Sequence, residues 1–509
     1  MAKPLSFKQK LPGILVCCFA AFGGFLFGYD TGTISGNIAM NSWLRRFGTF
    51  SPTLTDFQYY IPSSTKSVVV SIMAVGEFSG ALLSSPVADS IGRRFGIVLG
   101  CLVLSISVAM QTGAQELGLF IAGRVIGGVG IGLVSGIIPM FQSECAPKWI
   151  RGTVVAGYQW FITIGILIAN IVNNATKDFS DDSAFRIPIG IQIVFAAILA
   201  FGMYFLPESP RWLVKNGDNA GARKALARLN AADADSAELD VEFKEITDAF
   251  EAEIALGESS YADCFKNNDR KVRLRTLTGI AIQGFQQLTG VNFIFYYGTT
   301  FFKQAGYTDS FIISMITSSI NMVTTIPSFY LIEKIGRRKL LFWGAVVMCA
   351  CEFIVAIIGV GAGTANHSAQ TILVVFVCVY IAAFASTWGP IAWVVLNEIN
   401  PLNIRAKAVS MGTASNWFWN FLIGFVTPYL VDSGVGDANL GAKVFFIWGT
   451  TCFFCAVFAH FFVYETKGLS LEEVDNLYIN HTARESVTVA LKRQSDEETK
   501  NVGEFVPSN

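Results

Sequence analysis

Charged residues are scarce in this chain of 509 residues, at 15% of its composition. A soluble globular protein carries about 25%. The charges are also unevenly spread, because residues 207–275 and 464–509 contain 39 of the 75 and leave only 36 for the other 394 positions. A surface with so few charges cannot be hydrated over most of its area. The composition therefore excludes a soluble protein and indicates one that crosses a membrane several times.

Histidine is rarer still, with three residues in the chain, and the ten cysteines show no metal-ligand pattern. The pair Cys452 and Cys455 has no second pair to complete a site. We expect no metal, no cofactor and no enzymatic activity, because no nucleophile and base occur in a recognisable arrangement. The net charge of −1, without a basic stripe, gives no reason to expect nucleic-acid binding.

The residues that are abundant are apolar, at 52% of the chain with 43 phenylalanines. A helix needs about 20 apolar residues to cross a bilayer, and at this length only a helix satisfies its own backbone groups there. The sequence therefore predicts an all-α polytopic membrane protein in contact with lipid. Twelve runs fit, at 13–36, 68–88, 96–115, 118–142, 153–174, 187–206, 278–302, 311–332, 340–361, 371–396, 408–431 and 442–463.

Basic residues of the short loops between these runs all fall on one side of the predicted membrane. The positive-inside rule places that side in the cytosol, together with both termini and the segment 207–275. The basic residues are Arg93, Arg94, Lys148, Arg151, Lys334, Arg337, Arg338, Lys339, Arg405 and Lys407.

Three motifs occur twice in the same order, which indicates an internal duplication. Ile-Gly-Arg-Arg ends at Arg94 and again at Arg338, and a Glu precedes an Arg by seven residues at Glu144 and at Glu398. A short Glu-containing motif follows the sixth and the twelfth runs. The predicted organisation is a six-helix half at 1–206, a cytosolic linker with short helices at 207–275, a second six-helix half at 276–463 and a cytosolic tail at 464–509.

Two parallel halves are the architecture of many secondary transporters, with the substrate held between them. Acidic and basic residues at the cytosolic helix ends are candidates for a gate whose ion pairs break when that face opens. The alternative is that these charges only set the topology. The candidates are Asp89, Arg93, Arg94, Glu144, Arg151 and Glu208 in the first half, and Glu333, Arg337, Arg338, Glu398, Arg405 and Glu465 in the second.

Neutral amides lie within several runs, where a polar group is costly unless it faces a cavity or a partner. In the seventh run Gln283, Gln287 and Tyr297 are predicted to share one helical face, flanked by Gln286 and Asn292. Amides donate and accept hydrogen bonds without carrying charge, which suits the hydroxyl groups of a sugar. For a single amide, a structural bond between helices is the alternative.

The motifs together resemble the sugar porter family of the major facilitator superfamily, over essentially the whole chain. They are Gly24-Phe-Leu-Phe-Gly-Tyr-Asp30, Asp89-Ser-Ile-Gly-Arg-Arg94, Pro207-Glu-Ser-Pro-Arg-Trp-Leu213, Gln286-Gln-Leu-Thr-Gly290 and Tyr464-Glu-Thr-Lys-Gly468. Tyr464, in place of the usual proline, is similar to fungal hexose transporters. The resemblance implies twelve helices in two halves and these sugar-binding residues: Phe27, Gln159, Gln286, Gln287, Asn292, Asn321, Trp393, Asn416 and Asn420. Tyr296, Gly389 and Trp417 match weaker or lining positions.

The fourth run combines glycines four residues apart, such as Gly128 and Gly132, with the charged Arg124. The glycines predict a close approach of neighbouring helices. Arg124 needs a partner, and Asp30 in the first run is the candidate. Proton symporters of the family that the chain resembles have an Asp and an Arg at the matching positions. The resemblance therefore implies that Asp30 and Arg124 couple sugar movement to protons.

The sequence thus predicts a plasma-membrane transporter of monosaccharides, of the glucose type, that works by alternating access. We favour proton-coupled symport. A facilitative uniporter is the alternative, since some yeast facilitators keep the Asp. A non-transporting sugar sensor would share the fold, but fungal sensors typically carry a long cytosolic tail, and about 45 residues follow the last run here.

Overall fold

The computed structural model describes residues 7–52, 57–147, 150–233, 236–255, 260–304, 309–361, 367–432, 434, 436–469 and 471–489. The first half consists of helices with a short β-ladder after the second, in which Thr49–Phe50 pairs antiparallel with Tyr59–Tyr60. Its helices are α1 (Phe7–Asn37), α2 (Asn41–Phe47), α3 (Ser63–Ile91), α4 (Arg93–Gly113), α5 (Leu117–Cys145), α6 (Arg151–Thr176), α7 (Ser183–Gly190) and α8 (Gln192–Phe205).

The linker and the second half are also built from helices. The linker helices are α9 (Pro210–Lys215), α10 (Asn219–Leu229) and α11 (Ala237–Ala255), followed by a 3₁₀ turn at Tyr261–Phe265. The second half contains α12 (Val272–Leu288), α13 (Val291–Gln304), α14 (Ser310–Ile335), α15 (Arg337–Gly361), α16 (His367–Ser386), α17 (Trp388–Glu398), α18 (Arg405–Val431) and α19 (Val444–Phe462), and α20 (Leu471–Asn480) follows it.

The structure contains ten segments that are helical, long and apolar enough to cross a membrane within the described residues. They correspond to ten of the twelve predicted runs, with α7–α8 and α16–α17 each forming one segment. The other two runs are the seventh, which is divided into α12 and α13, and the eleventh, α18, which carries Asn416 and Asn420. Both spans carry amides, which lower their mean hydropathy, and the seventh is also divided by a helix break.

The seventh run was predicted as one helix, and the structure corrects this. The helix stops at Leu288 and restarts at Val291, because Gly290 has a φ of +82°. A Cβ at Gly290 would lie 2.5 Å from the Trp448 ring, so no larger side chain fits. The carbonyl of Thr289 accepts hydrogen bonds from Tyr380 Oη (2.7 Å) and Cys452 Sγ (3.8 Å), which satisfies a backbone group freed by the break.

The break also changes which side chains of this run lie together. Gln283 and Gln287 both reach Asn416, whereas the hydroxyl of Tyr297 donates to the carbonyl of Gly424 at 2.6 Å. All three side chains thus contact α18, although the break divides them between α12 and α13. A helical period holds only within α12 or within α13.

The glycines of α5 allow close packing, as predicted. A Cβ on Gly128 would lie 2.1 Å from the Met73 carbonyl oxygen, and one on Gly132 would lie 2.3 Å from that of Glu77. Backbone contact at this distance is possible only without a side chain. The helix α5 therefore lies directly against α3 and brings Arg124 close to the residues of α3.

The two halves meet along α3 with α18 and along α6 with α14. Ser410 Oγ donates to the carbonyl of Ala81 at 2.8 Å, and Asn170 Nδ2 donates to Ser318 Oγ at 2.7 Å. A further bond joins α18 to α5, where Trp417 Nε1 donates to Ser135 Oγ at 3.1 Å. We call the side of the molecule that carries α9–α11 the linker face and the other side the opposite face.

The linker helices begin at capping residues. Ser209 accepts a hydrogen bond from the backbone N–H of Trp212 at 3.3 Å, with Pro210 at the first helical position, and Asp218 accepts from Gly221 N–H at 2.8 Å. Such caps satisfy backbone donors that a helix start leaves free. The predicted short helices of the linker are therefore present.

Candidate functional site

A cavity lies between the two halves. Eight of the nine residues predicted to bind sugar line it. They come from α1, α6, α12, α13, α14, α17 and α18, so the site exists only when both halves are assembled. The eight are Phe27, Gln159, Gln286, Gln287, Asn292, Asn321, Trp393 and Asn416.

The amides on one wall of this cavity form a connected network. Gln287 Nε2 donates to Asn416 Oδ1 at 2.9 Å, and Asn292 Nδ2 donates to Gln287 Oε1. Asn416 Nδ2 in turn donates to Gln283 Oε1 and to Gln286 Oε1, both at 2.7 Å. Such bonds fix the orientation of each amide and hence the donors and acceptors that it presents.

Asn321 differs from the other amides of the cavity. Both its Oδ1 and its Nδ2 are buried and have no hydrogen-bond partner within the described part of the chain. A buried amide without partners costs free energy unless a bound molecule supplies them. Asn321 is therefore the residue best prepared to bind a polar ligand in the cavity.

Aromatic rings complete the wall. Trp393 lies edge-on to Tyr158 with ring centroids 5.8 Å apart, and Phe27 packs edge-on against Trp417 at 4.8 Å. Trp393 and Phe27 line the cavity, whereas Trp417 lies behind Phe27 and supports it. The site thus combines ring surfaces with neutral donors and acceptors, which suits a molecule with apolar faces and hydroxyl edges.

Asn420 is the predicted sugar-binding residue that does not line the cavity. Its Oδ1 accepts a hydrogen bond from the Tyr296 hydroxyl at 3.0 Å, one layer away from the cavity wall. The sequence reasoning also missed six lining residues. Ile162 and Ile166 follow Gln159 at helical spacing and could have been found from it, as could Thr31 from Phe27. The six are Thr31, Ile162, Ile166, Val291, Phe295 and Phe384.

Asp30 and Arg124 form the predicted pair inside the first half. Arg124 Nη1 lies 3.4 Å from Asp30 Oδ2, and the two residues are 2% and 5% exposed. Asp30 directly precedes Thr31, which lines the cavity, and it lies in the same helix as Phe27. A charge pair therefore lies close to the cavity but does not line it.

The linker face carries two matching charged clusters. In the first, Arg93 pairs with Glu144 (3.0 Å) and Asp89 (3.1 Å). In the second, Arg337 pairs with Glu398 (2.9 Å) and Glu333 (3.0 Å). The two halves thus repeat the ion pairs as well as the sequence motif that forms them.

A glutamate closes each cluster, partly buried in the case of Glu208 and buried in the case of Glu465. Glu208 accepts from the backbone N–H groups of Arg93 (3.1 Å) and Arg94 (3.0 Å), and Glu465 accepts from those of Arg337 (2.9 Å) and Arg338 (3.2 Å). Burial raises the pKa of Glu208 and of Glu465, and these backbone donors partly offset it. Each glutamate binds the start of a spanning helix, where the helix dipole favours negative charge.

These pairs join helices within one half, which changes the interpretation of the gate. Neither cluster bridges the halves through the ion pairs named above. The start of α6 approaches the second cluster from the other half, since a Cβ on Gly152 would lie 3.0 Å from Glu333 Oε1 and 3.2 Å from Arg337 Nη2. Arg405 donates to the carbonyl of Asn400 at 3.3 Å. The side chain of the other candidate, Arg151, lies outside the described residues.

The opposite face is held by a pair that sequence reasoning missed. Lys66 Nζ on α3 lies 2.5 Å from Asp432 Oδ2 just after α18, and Ser63 Oγ donates to Asp437 Oδ2 at 2.6 Å. Ser35 on α1 and Thr299 on α13 are also within hydrogen-bond distance, at 3.5 Å. The halves are therefore in contact at both faces, with the cavity between them.

A model of the family described as "Sugar (and other) transporter" matches residues 16–478. The chain belongs to this sugar transporter family. The cavity, the repeat and the spanning helices are thus those of a membrane transporter.

Relatives within the family include transporters and a sensor, all from fungi. The chain is 46% identical over 486 residues to "Major facilitator-type transporter ecdD" of Aspergillus rugulosus, covering 94% of this chain and 89% of the relative. It is 44% identical to "Probable glucose transporter rco-3" of Neurospora crassa, covering 92% and 80%. It is 40% identical to "High glucose sensor RGT2" of Saccharomyces cerevisiae, covering 94% of this chain and 62% of the sensor.

Solved structures confirm the fold. The chain superposes on the proton:xylose symporter XylE bound to 6-bromo-6-deoxy-D-glucose with a TM-score of 0.77, at 27% identity, covering 92% of this chain and 100% of that one. The inward-open form of the xylose transporter XylE from E. coli gives 0.69 at 25% identity, covering 91% and 99%. The protein therefore has the twelve-helix major facilitator fold, in a conformation closer to the sugar-bound structure.

Proposed function

We propose that this protein transports a hexose of the glucose type across the plasma membrane by alternating access, with its termini and linker in the cytosol. The single observation that carries the proposal is the cavity between the halves, lined by neutral amides and aromatic rings. Among the described residues that line it, none carries a charge that would select a charged substrate. The half-to-half contacts at both faces are those that must break in turn for the cavity to open first to one side and then to the other.

Proton-coupled symport is the second part of the proposal. It is supported by the buried pair of Asp30 and Arg124 beside the cavity. A carboxylate that loses its cation in a low-dielectric site is stabilised by taking up a proton. If sugar-driven movement of α1 separates the pair, proton binding and sugar binding become linked. The likeness to a proton:xylose symporter is consistent with this reading.

A sugar sensor is the second candidate, because one of the relatives is a high glucose sensor at 40% identity. A sensor needs the same cavity but no net movement of sugar. Uptake, not binding, therefore separates the two functions.

Radiolabelled glucose uptake in cells that lack their own hexose transporters tests the proposal. We expect uptake that saturates with glucose and falls when unlabelled hexoses compete. A protonophore should abolish accumulation if transport is symport and leave equilibration unchanged if it is uniport. Surface expression without any uptake, while glucose still binds to the purified protein, would instead support the sensor.

A further inference from the structure

A third ionisable residue lies at the charge pair of the first half. Glu77 on α3 is 3% exposed and sits where α3 crosses α5, with its backbone against Gly128 and Gly132. Arg124 is one helical turn before Gly128 on α5. The close crossing thus brings the side chains of Glu77 and Arg124 into one buried region, which also contains Asp30 from α1.

The charges of this region do not balance. Glu77 interacts electrostatically with both Asp30 and Arg124, and in the described part of the chain Arg124 is the one cation that acts on it. With both carboxylates ionised, the group would carry a net charge of −1 in a site shielded from water. An uncompensated carboxylate at such depth costs free energy, and such a group usually takes up a proton.

The geometry indicates which carboxylate carries the proton. Arg124 Nη1 contacts Asp30 directly at 3.4 Å, whereas Glu77 makes no ion pair or hydrogen bond with any described residue. Arg124 Nε is buried and has no partner among the described residues, so the guanidinium retains a donor for a second carboxylate. Arg124 can therefore turn from one carboxylate to the other.

The other groups that face Glu77 are neutral. Tyr158 on α6 and Tyr296 on α13 interact with its charge, and Tyr296 follows the cavity residue Asn292 by one turn. Trp417 is the large side chain that α18 places at this level of α3, since Ser410 contacts Ala81 on one side and Gly424 meets Ser71 on the other. None of these groups supplies a cation.

The internal duplication connects Glu77 with the cavity. The offset of 244 residues that relates Ile91 to Ile335 also relates Glu77 to Asn321, the cavity amide without partners. The same inward position of the repeat thus carries a sugar-facing amide in one half and an acid in the other.

We propose that Glu77 is a second proton-carrying carboxylate of the coupling centre and holds a proton while Arg124 pairs with Asp30. The inference rests on the proposed proton coupling for its role in transport. When Arg124 turns to Glu77, the O–H bond of Glu77 breaks and an O–H bond forms on Asp30, so one proton changes carboxylates and the net charge stays at zero. The centre can then pass a proton between α3 and α1 as the helices move.

Infrared spectroscopy of the purified protein tests this directly. At neutral pH the wild type should show the carbonyl stretch of one shared protonated carboxyl group. Glu77→Gln should remove this band, because Arg124 and Asp30 then balance. Asp30→Asn should remove it as well, because Glu77 then ionises against Arg124. A band that survives Glu77→Gln, or that is absent from the wild type, would overturn the proposal.

Two controls assign the band. Glu116→Gln changes an exposed glutamate of the same half and should leave the spectrum unchanged. Glu352→Gln removes a second buried glutamate, which lies in the spanning helix α15, and subtracts its own contribution. If the band persists in Asp30→Asn but not in Glu77→Gln, the proton belongs to Glu77 alone and the shared centre is wrong. Glu77→Asn, which carries the residue of the matching position in the second half, replaces Glu77→Gln if the latter folds poorly.

Transport then tests the functional role. Sugar counterflow in proteoliposomes should stay within about twofold of wild type for Glu77→Gln, while accumulation driven by a proton gradient should fall about tenfold or more. Unchanged accumulation by Glu77→Gln would show that Glu77 takes no part in coupling. If the wild type itself ignores the proton gradient, the proposed symport fails, and the infrared result still decides where the proton resides.

Discussion

The two halves of the protein agree at the linker face and differ inside the membrane. Arg93 and Arg337 have matching partners, matching distances and matching backbone-bound glutamates. Beside the cavity, the first half holds the charged residues Asp30, Glu77 and Arg124, whereas the second half contributes most of the amides that line it. The repeat is therefore retained where it fixes helix ends and abandoned where it faces substrate.

This difference separates two tasks between the halves. A neutral wall binds hydroxyl groups without changing its charge, and a charged centre responds to protons without contacting the sugar. The break in α12–α13 adds to the contrast, since it allows Gln287 and Asn292 to face one cavity from two helices. We therefore expect substitutions at the linker face to act alike in both halves and substitutions inside to act differently.

The largest effect is expected from the clusters. Arg93→Ala and Arg337→Ala each remove a buried guanidinium from partly buried carboxylates. Each should lower the free energy of unfolding by about 3 kcal/mol, the low end for a broken buried pair, because the carboxylates keep some contact with water. The melting temperature of the detergent-solubilised protein measures this. Arg46→Ala, at an exposed arginine, is the matched control and should change little. A large loss in one half only would contradict the symmetry of the two clusters.

The next effect concerns the charged centre. Asp30→Asn should abolish accumulation of sugar against its gradient but leave counterflow in place. Each 100 mV of membrane potential contributes about 2.3 kcal/mol per proton, so the accumulation lost is about fifty-fold. Steady-state sugar ratios across vesicles measure it, with the exposed Asp178→Asn as control. If uptake by the wild type ignores external pH, Asp30 is a structural partner of Arg124 instead.

A smaller effect is expected in the neutral wall. Gln287→Ala removes the hydrogen bonds that its amide makes with Asn416 and Asn292 and the groups that it offers to a sugar. Each lost bond costs about 1 kcal/mol, so the half-saturation constant should rise several-fold at normal surface expression. Gln111→Ala removes a buried glutamine that does not line the cavity and serves as the control. An unchanged constant would mean that Gln287 has only a structural role.

The smallest effect is expected at the opposite face. Lys66→Met removes the ion pair with Asp432 that joins α3 to the end of α18. The contact between halves should weaken, because the pair is largely buried in this form, and the form open at that face is then favoured. Labelling of cysteines introduced at Ser35 and Thr299 should become faster. The double variant Lys66→Met with Asp432→Asn should be no faster than either single variant if the pair acts as a unit.

Much of this protein can be predicted from its sequence. Long apolar runs specify spanning helices because lipid offers no partner for the backbone, and the repeated Arg-Arg motifs reveal the two halves. Six of the eight predicted cavity residues are amides, which need a polar surrounding inside an apolar run, and the resemblance to the sugar porter family implied all eight. These signals are local or periodic, so they can be recognised in the sequence without the tertiary structure.

Contacts between residues distant in sequence needed the tertiary structure. It placed Asn321 in the cavity and Asn420 behind it, paired Glu144 with Arg93, and joined Lys66 to Asp432. It also brought Glu77 to Arg124, which no spacing predicts, because that meeting depends on the closeness of α3 and α5. The sequence determines which side chains must leave the lipid, but the packing of helices determines which of them meet. A pairing depends on crossing points and helix breaks that no single helix specifies.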